Sequence, residues 1–468
     1  MREWRSGFRF GVRTRSDAGD APPDAGDSPP EADHSAADAG DAPPDAGDSP
    51  PDAGDSPADA GDSPAEPASA AVGEAAGDAK SVPPVKRRRR RRRLIIAAPF
   101  IAVLSWAVIS YSVWMLQPSS MSFSPRSAEW VRSDVPFGNW LVDEGENLDY
   151  NMNAPTTGGP QLKTLPSVGL SPARTTPAKS TAAVWPPPVK PVFAHALPGE
   201  GVWKPTGPSV DGSAPVLVTT YRPLRNYPRV VAYVAWFNHA TTAVGYYPGR
   251  YEPPNAAVRG PMMVPYDQRY RLVATFNAGF IYTDGNNGSA DNGRTNEPLT
   301  DGNATLVGYR DGQIAIVKWH GGPNGPSDAA WVRQSLAPIV WNGKLNPQLN
   351  DNPNSPQWGY TLGGVDRVWR TGVGIDSHGN LIYVAAPDQT VTSLARILQH
   401  VGAVRAMEFD INPYWHTLIT YTHNRRGLVP TMVGPNPQQP VTRYLVPDDR
   451  DFFAVYRRLP GPVTVPFK

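Results

Sequence analysis

The sequence predicts an α+β domain built on a mixed, mostly antiparallel sheet with few helices, preceded by a disordered tail, one transmembrane helix and a Pro-rich stalk. Three observations carry this. Composition changes abruptly along the chain, one long apolar run lacks any charge, and from about Pro215 short β-branched and aromatic runs alternate with turn residues. The net charge of +1 conceals the asymmetry, because an acidic block, a run of arginines and a near-neutral region cancel one another. The chain has no cysteine, which excludes a disulfide framework, a thiolate metal site and a cysteine nucleophile.

Residues 1–85 are dominated by a degenerate seven-residue repeat, DAGDAPP and DAGDSPP, beginning at Asp17. A coiled coil is excluded, since its a and d positions would hold Asp, Gly, Ala or Pro and proline would break each turn. Low hydrophobicity and a single sign of charge make the block a disordered acidic tail. Residues 86–93 are Lys86 and the unbroken arginines from Arg87 to Arg93. Residues 94–116 then carry no charge and have the length needed to cross a bilayer, with Trp114 placed as an interface anchor. The run is too long for the apolar core of a cleavable signal. Arginines on its N-terminal side put that side in the cytoplasm and the C-terminal domain outside. Beside a membrane span, the arginines suit anionic lipid headgroups better than nucleic acid, because neither aromatic interleaving nor a recognition helix accompanies them. Residues 117–212 are rich in Pro, Ser and Thr and read as an extended stalk. Within it Trp130, Val131, Phe137, Trp140 and Leu141 suit packing on the domain or on the membrane surface.

Residues 213–468 read as the folded domain. Runs at 216–221, 230–237 and 270–276 are strand-like, and Asp311-Gly312 and Asn342-Gly343 sit between apolar runs as hairpin turns do. Gly- and Asn-rich stretches at 284–295 and 321–327 read as exposed loops. A further hairpin turns at Ser377, His378, Gly379 and Asn380. Leu394, Ile397, Leu398 and Val401 then fall on one helical face, with Thr392 as the cap and Gly402 as the stop. In the next strand Met407 and Phe409 share one face, Glu408 and Asp410 the other.

Three clusters could carry chemistry. Asn277 leaves a strand and suits either an Asx-turn or a ligand contact. Arg370 opens a strand, and its guanidinium suits an anion clamp or a structural ion pair. Glu408 and Asp410 have Cα atoms about 7 Å apart on one strand face. His416 and His423 lie near them without a ligand pattern, so no metal and no cofactor is expected. A phosphate loop, a GxSxG elbow and an HExxH helix are all absent from the sequence.

These motifs resemble, in order, those of the phosphodiester glycosidase family. Asn277-Ala278-Gly279-Phe280 is similar to its Asn-Gly-Gly-Phe-Phe element, Arg370 to Asp376 to its Arg-Thr-Ala-Ile-Gly pattern, and Asp410 falls on the aspartate of its Leu-Asp-Gly-Gly-Gly-Ser-Ser segment. Two departures stand out: Glu408 replaces the usual Asn, and Ile411-Asn412-Pro413 replaces the glycine run. The resemblance implies hydrolysis of a sugar from a sugar-phosphodiester, here in cell-envelope glycan. Asp410 would stabilise or attack the oxocarbenium-like centre and Glu408 would act as acid or base. Arg370 would hold the phosphate, Asn277 a hydroxyl, and Tyr414 and Trp415 would stack on the sugar or belong to the core. The alternative is a non-catalytic glycan-binding ectodomain on the same fold.

Overall fold

The computed structural model describes residues 85–152, 157–168, 185–207, 210, 213–285 and 287–458. The acidic repeat tail lies outside the described residues, as do the side chains of residues 85–96 and hence of the arginine run.

Helix α1, Val85–Leu116, contains one stretch, Ala97–Leu116, long and apolar enough to cross a membrane, and Trp114 is the one buried residue in it. The segment that reads as an extended stalk instead holds two helices, α2 at Phe123–Asp134 and α3 at Gly138–Met152. Its Pro-rich parts are also tied down. Val168, Val189 and Trp203 are buried in the cores of the domain. Glu200 and Arg222 form a buried ion pair at 2.8 Å. Average composition does not reveal these anchors, because a few apolar residues within a polar stretch suffice to dock it. The turn between α2 and α3 requires glycine at Gly138, where a Cβ would lie 1.7 Å from the Val131 carbonyl oxygen.

The rest is α+β with three sheets, and every pairing among the described strands is antiparallel. The largest sheet has eight strands, and its centre is Ala232–Phe237, Leu381–Gln389, Val368–Asp376 and Ala403–Glu408 in that spatial order. One five-stranded sheet is centred on Ala329–Gln334, the other on Leu272–Asn277 between Leu418–Asn424 and Phe452–Arg457. Side chains from all three sheets, among them Tyr233, Leu306, Phe276, Met407 and Phe453, meet in one core.

Helix α4, Val391–His400, covers the opposite face of the large sheet with Leu394, Ile397 and Leu398, each worth roughly 1.5–3 kcal/mol on burial. Its cap is Thr390 rather than Thr392: Thr390 accepts from the Ser393 amide while the Ser393 hydroxyl accepts from the Thr390 amide. The Thr392 amide donates instead to Asp351. Close approach of α4 depends on Gly372 and Gly374, where a Cβ would meet Leu398 at 3.0 and 3.4 Å. The Asn342-Gly343 turn has positive φ at both residues, as its hairpin demands.

Candidate active site

The strands Val368–Asp376 and Ala403–Glu408 pair so that Gly372 faces Glu408, and their bonding continues beyond the second strand's end. Phe409 donates its amide to the Thr371 carbonyl, and the Thr371 amide and hydroxyl both donate to the Asp410 carbonyl, at 3.0 and 2.8 Å. Asp410 is thus fixed by backbone although it lies past the strand. Its carboxylate accepts from the Asn412 amide at 2.8 Å and from Arg450 Nη2 at 3.1 Å. Burial raises its pKa, with the Arg450 charge acting in the opposite direction.

Asp410 lines a cavity of about 540 Å³, a size suited to a small ligand. Trp415 and Arg450 border it as well, with the guanidinium 4.7 Å from the Trp415 ring centroid. The loop residue Asp284 supplies a second carboxylate at the rim. A further part of the wall comes from α2 and α3 through Arg132, Asn139, Asp143 and Glu146. Arg132 stands 3.2 Å from Asp143 and 3.3 Å from Glu146. Burial pushes the Glu146 carboxyl up to about 7 despite that neighbour.

The other sequence candidates do not reach the cavity. Glu408 is fully buried and Arg370 nearly so, and they form an ion pair at 2.6 Å. Arg370 spends further donors on the carbonyls of Gln389 and Trp358. Its use is therefore the structural ion pair and not the anion clamp. Burial pushes the Glu408 carboxyl up to about 7, Arg370 offsetting only part of that cost, and Glu408 Oε2 has no hydrogen-bond partner. An acid-base role for Glu408 would need a path to substrate that its burial closes.

Asn277 is also internal. Its amide donates to the Thr371 hydroxyl at 3.1 Å, and its carbonyl oxygen accepts from the Tyr383 hydroxyl at 2.6 Å and the Thr417 amide at 3.0 Å. It supports Thr371, which holds Asp410, so it stands behind the cavity as a post. Tyr414 is half-buried and does not line the cavity, whereas Trp415 lines it while only 4% exposed. His416 is buried and stacks on Trp369 with ring centroids 3.7 Å apart, and burial pushes its pKa down to about 4. His423 lies apart, against the Arg269 carbonyl. Among the described residues no three His, Asp or Glu side chains form a metal-ligating group.

Sequence reasoning missed Arg450, Asp284 and the α2–α3 wall. The dense charge of Asp448-Asp449-Arg450-Asp451 just before the last strand was the available signal for Arg450. Its neighbours serve the fold: Asp448 pairs with buried Arg443 at 2.9 Å, and Asp451 pairs with buried Arg333 at 2.7 Å while accepting from the Tyr246 and Tyr282 hydroxyls.

Residues 255–410 match the family model for phosphodiester glycosidase. Residues 255–410 are thus phosphodiester glycosidase-like. The match ends on Asp410, so Trp415 and Arg450 lie beyond it. Among solved structures, a hypothetical protein from Synechocystis is similar at 15% identity and a TM-score of 0.30, over 53% of this chain and 63% of that one. This chain therefore spans less than two thirds of that protein's length. The zebrafish N-acetylglucosamine-1-phosphodiester alpha-N-acetylglucosaminidase catalytic domain, auto-inhibited by its pro-peptide, is similar at 13% identity and a TM-score of 0.31, over 52% of this chain and 82% of that one. A putative exported protein from Burkholderia pseudomallei is similar at 10% identity and a TM-score of 0.20, over 48% and 74% of the two chains. No curated protein matches the chain.

Proposed function

We propose that this phosphodiester glycosidase-like domain hydrolyses the bond between a sugar and a phosphodiester, on the extracytoplasmic side of the membrane that α1 spans, with an envelope glycan as the source of substrate. The observation that carries the reading is the Asp410–Arg450 pair at a cavity wall, one carboxylate and one guanidinium side by side. A sugar with its anomeric carbon against Asp410 would place its phosphate toward Arg450 and Arg132. Water adds to the anomeric carbon and gives its proton to the Asp410 carboxylate. The C–O bond breaks with its electron pair going to the phosphate oxygen. The arginines stabilise that charge, so a strong acid at the leaving oxygen is unnecessary. A carboxylate whose pKa is raised by burial is a better base than an exposed one.

A second reading is favoured by one observation. Ile411, standing where the family has glycine, packs with Phe280, Leu336 and Val368 and lines the cavity next to Asp410. A glycan-binding domain without turnover would be built in that way. The deciding experiment is sugar release by the full chain in detergent from a panel of sugar 1-phosphodiesters, wild type against Asp410→Asn. Release by the wild type alone supports hydrolysis. Binding without release, equal in both proteins, supports the second reading.

A further inference from the structure

The α2–α3 hairpin does more than wall the cavity. Its first helix packs on the last two turns of α1: Trp130 Nε1 donates to the Ser110 hydroxyl at 3.0 Å, the Tyr111 and Ser127 hydroxyls lie 2.9 Å apart, and Asp134 accepts from Ser110. Ser110 sits six residues before the end of the apolar stretch at Leu116, about 9 Å along the helix axis. The end of α2, and the turn that follows it, is therefore level with apolar helix rather than with the domain. At that turn Phe137, Trp140 and Leu141 are 84%, 64% and 49% exposed. Large apolar side chains held beside a membrane helix at that depth have the outer leaflet of the bilayer as their natural solvent.

The cavity points the same way. A second cavity of about 220 Å³ shares Arg132, Trp415 and Arg450 with the Asp410 cavity and continues to Trp114 and Met121, at and just after the end of α1. Trp114 stacks on Tyr251 of the domain at 4.8 Å, and Ser119 donates to Asp449 at 2.7 Å, so α1 and the domain are fastened at this point. The two cavities thus adjoin across Arg132, Trp415 and Arg450, and the second is lined by Trp114, Met121 and Tyr251 beside the carboxylates of Glu129, Glu252 and Asp449.

From this we infer that the substrate is an amphiphile: a sugar phosphodiester whose second ester is a lipid, presented from the bilayer with the α2–α3 tip seated in the outer leaflet. This inference rests on the glycosidase reading above. Sugar at Asp410, phosphate between Arg132 and Arg450, and lipid at Trp114 and Met121 follow the order in which these residues line the two adjoining cavities. Hydrolysis then frees the sugar and leaves the phosphate monoester on the lipid.

The test uses the full chain in phosphatidylcholine–phosphatidylglycerol vesicles. Because the chain lacks cysteine, Leu141→Cys and, as control, Asp311→Cys each give a single labelling site for an environment-sensitive dye. The dye at position 141 should emit to the blue and be quenched by spin-labelled lipid, and the dye at position 311 should do neither. A water-like dye at position 141 overturns the membrane seat. Sugar release is then compared between long-chain alkyl and methyl esters of the same sugar 1-phosphates. The long-chain ester should be favoured by about tenfold or more in kcat/KM. Combining Phe137→Ser, Trp140→Ser and Leu141→Ser should abolish that preference while leaving methyl-ester turnover unchanged. Equal turnover of both esters by the wild type overturns the lipid inference and leaves the glycosidase reading intact. Turnover of neither overturns the glycosidase reading and the substrate class with it, while the dye still decides the membrane seat.

Discussion

Glu408 and Asp410 stand two residues apart, one ending a strand and the other just past it, each paired with an arginine, yet they differ in their access to the cavity. Glu408 and Arg370 lie inside the large sheet and beneath the cavity, with the pair sealed from solvent. Asp410 and Arg450 form a looser pair at 3.1 Å on the cavity wall, with Arg450 side-chain exposure of 15%. Alternation along a strand decides which face a side chain takes. Surroundings then differ: the carbonyls of Trp358 and Gln389 close over Arg370, whereas Asp410, though buried, lines the cavity.

The largest expected effect separates the two pairs by activity. Asp410→Asn should cost about 10²–10⁴-fold in kcat for sugar release, as loss of a general base does, with the urea midpoint nearly unchanged. Glu408→Ala should show the reverse. Leaving the Arg370 guanidinium buried and unpaired costs about 3–5 kcal/mol, read as a lower urea midpoint, with turnover per folded molecule retained. If Glu408→Gln, which keeps shape and a hydrogen bond, removes turnover from a fully folded protein, the comparison breaks and Glu408 acts on substrate after all.

Asn277→Ala is smaller and sharpens the same contrast. It strands the Tyr383 hydroxyl and the Thr417 amide and releases Thr371, a loss of about 1–3 kcal/mol. As a positioning residue, Asn277 should lower kcat through Asp410 without altering the pH profile of turnover. A shifted profile would mean that it touches the reacting groups.

Much of this was legible beforehand because it is local. Hairpins announced themselves through Gly379 and Asn342-Gly343, α4 through its 3.6-residue face, and Asp410 through a motif with neighbours on both sides. Arg450 was not legible, since its partner lies 40 residues away in the chain and no periodicity links a loop to a strand end. The α2–α3 wall was hidden differently. Its sequence is polar on average, and what makes it part of a cavity is tertiary docking through Ser119, Ser120 and Trp114. Arg370 shows the converse: its type suits an anion clamp or an ion pair equally, and only the fold sets it 2.6 Å from the Glu408 carboxylate.

The smallest expected effect is a slope. The Glu408 carboxyl, raised from 4.5 to about 7, holds a proton in the folded protein that the unfolded chain has released across that window. The native state therefore binds more protons there, and the stability contributed by this group is full below pH 4.5 and is lost as pH rises toward 7. His416 runs the other way: lowered from 6.5 to about 4, it contributes stability that is present above pH 6.5 and lost as pH falls. The two contributions oppose each other between pH 4.5 and 6.5, so the wild-type profile alone would conceal both. Glu408→Gln removes the first and keeps the second. The difference between the urea midpoints of Glu408→Gln and wild type should therefore move in favour of the variant as pH rises from 5 to 7. A difference that stays flat would mean that Arg370 keeps Glu408 ionised throughout, in which case the buried pair carries full charges and the contrast with Asp410 is one of access alone.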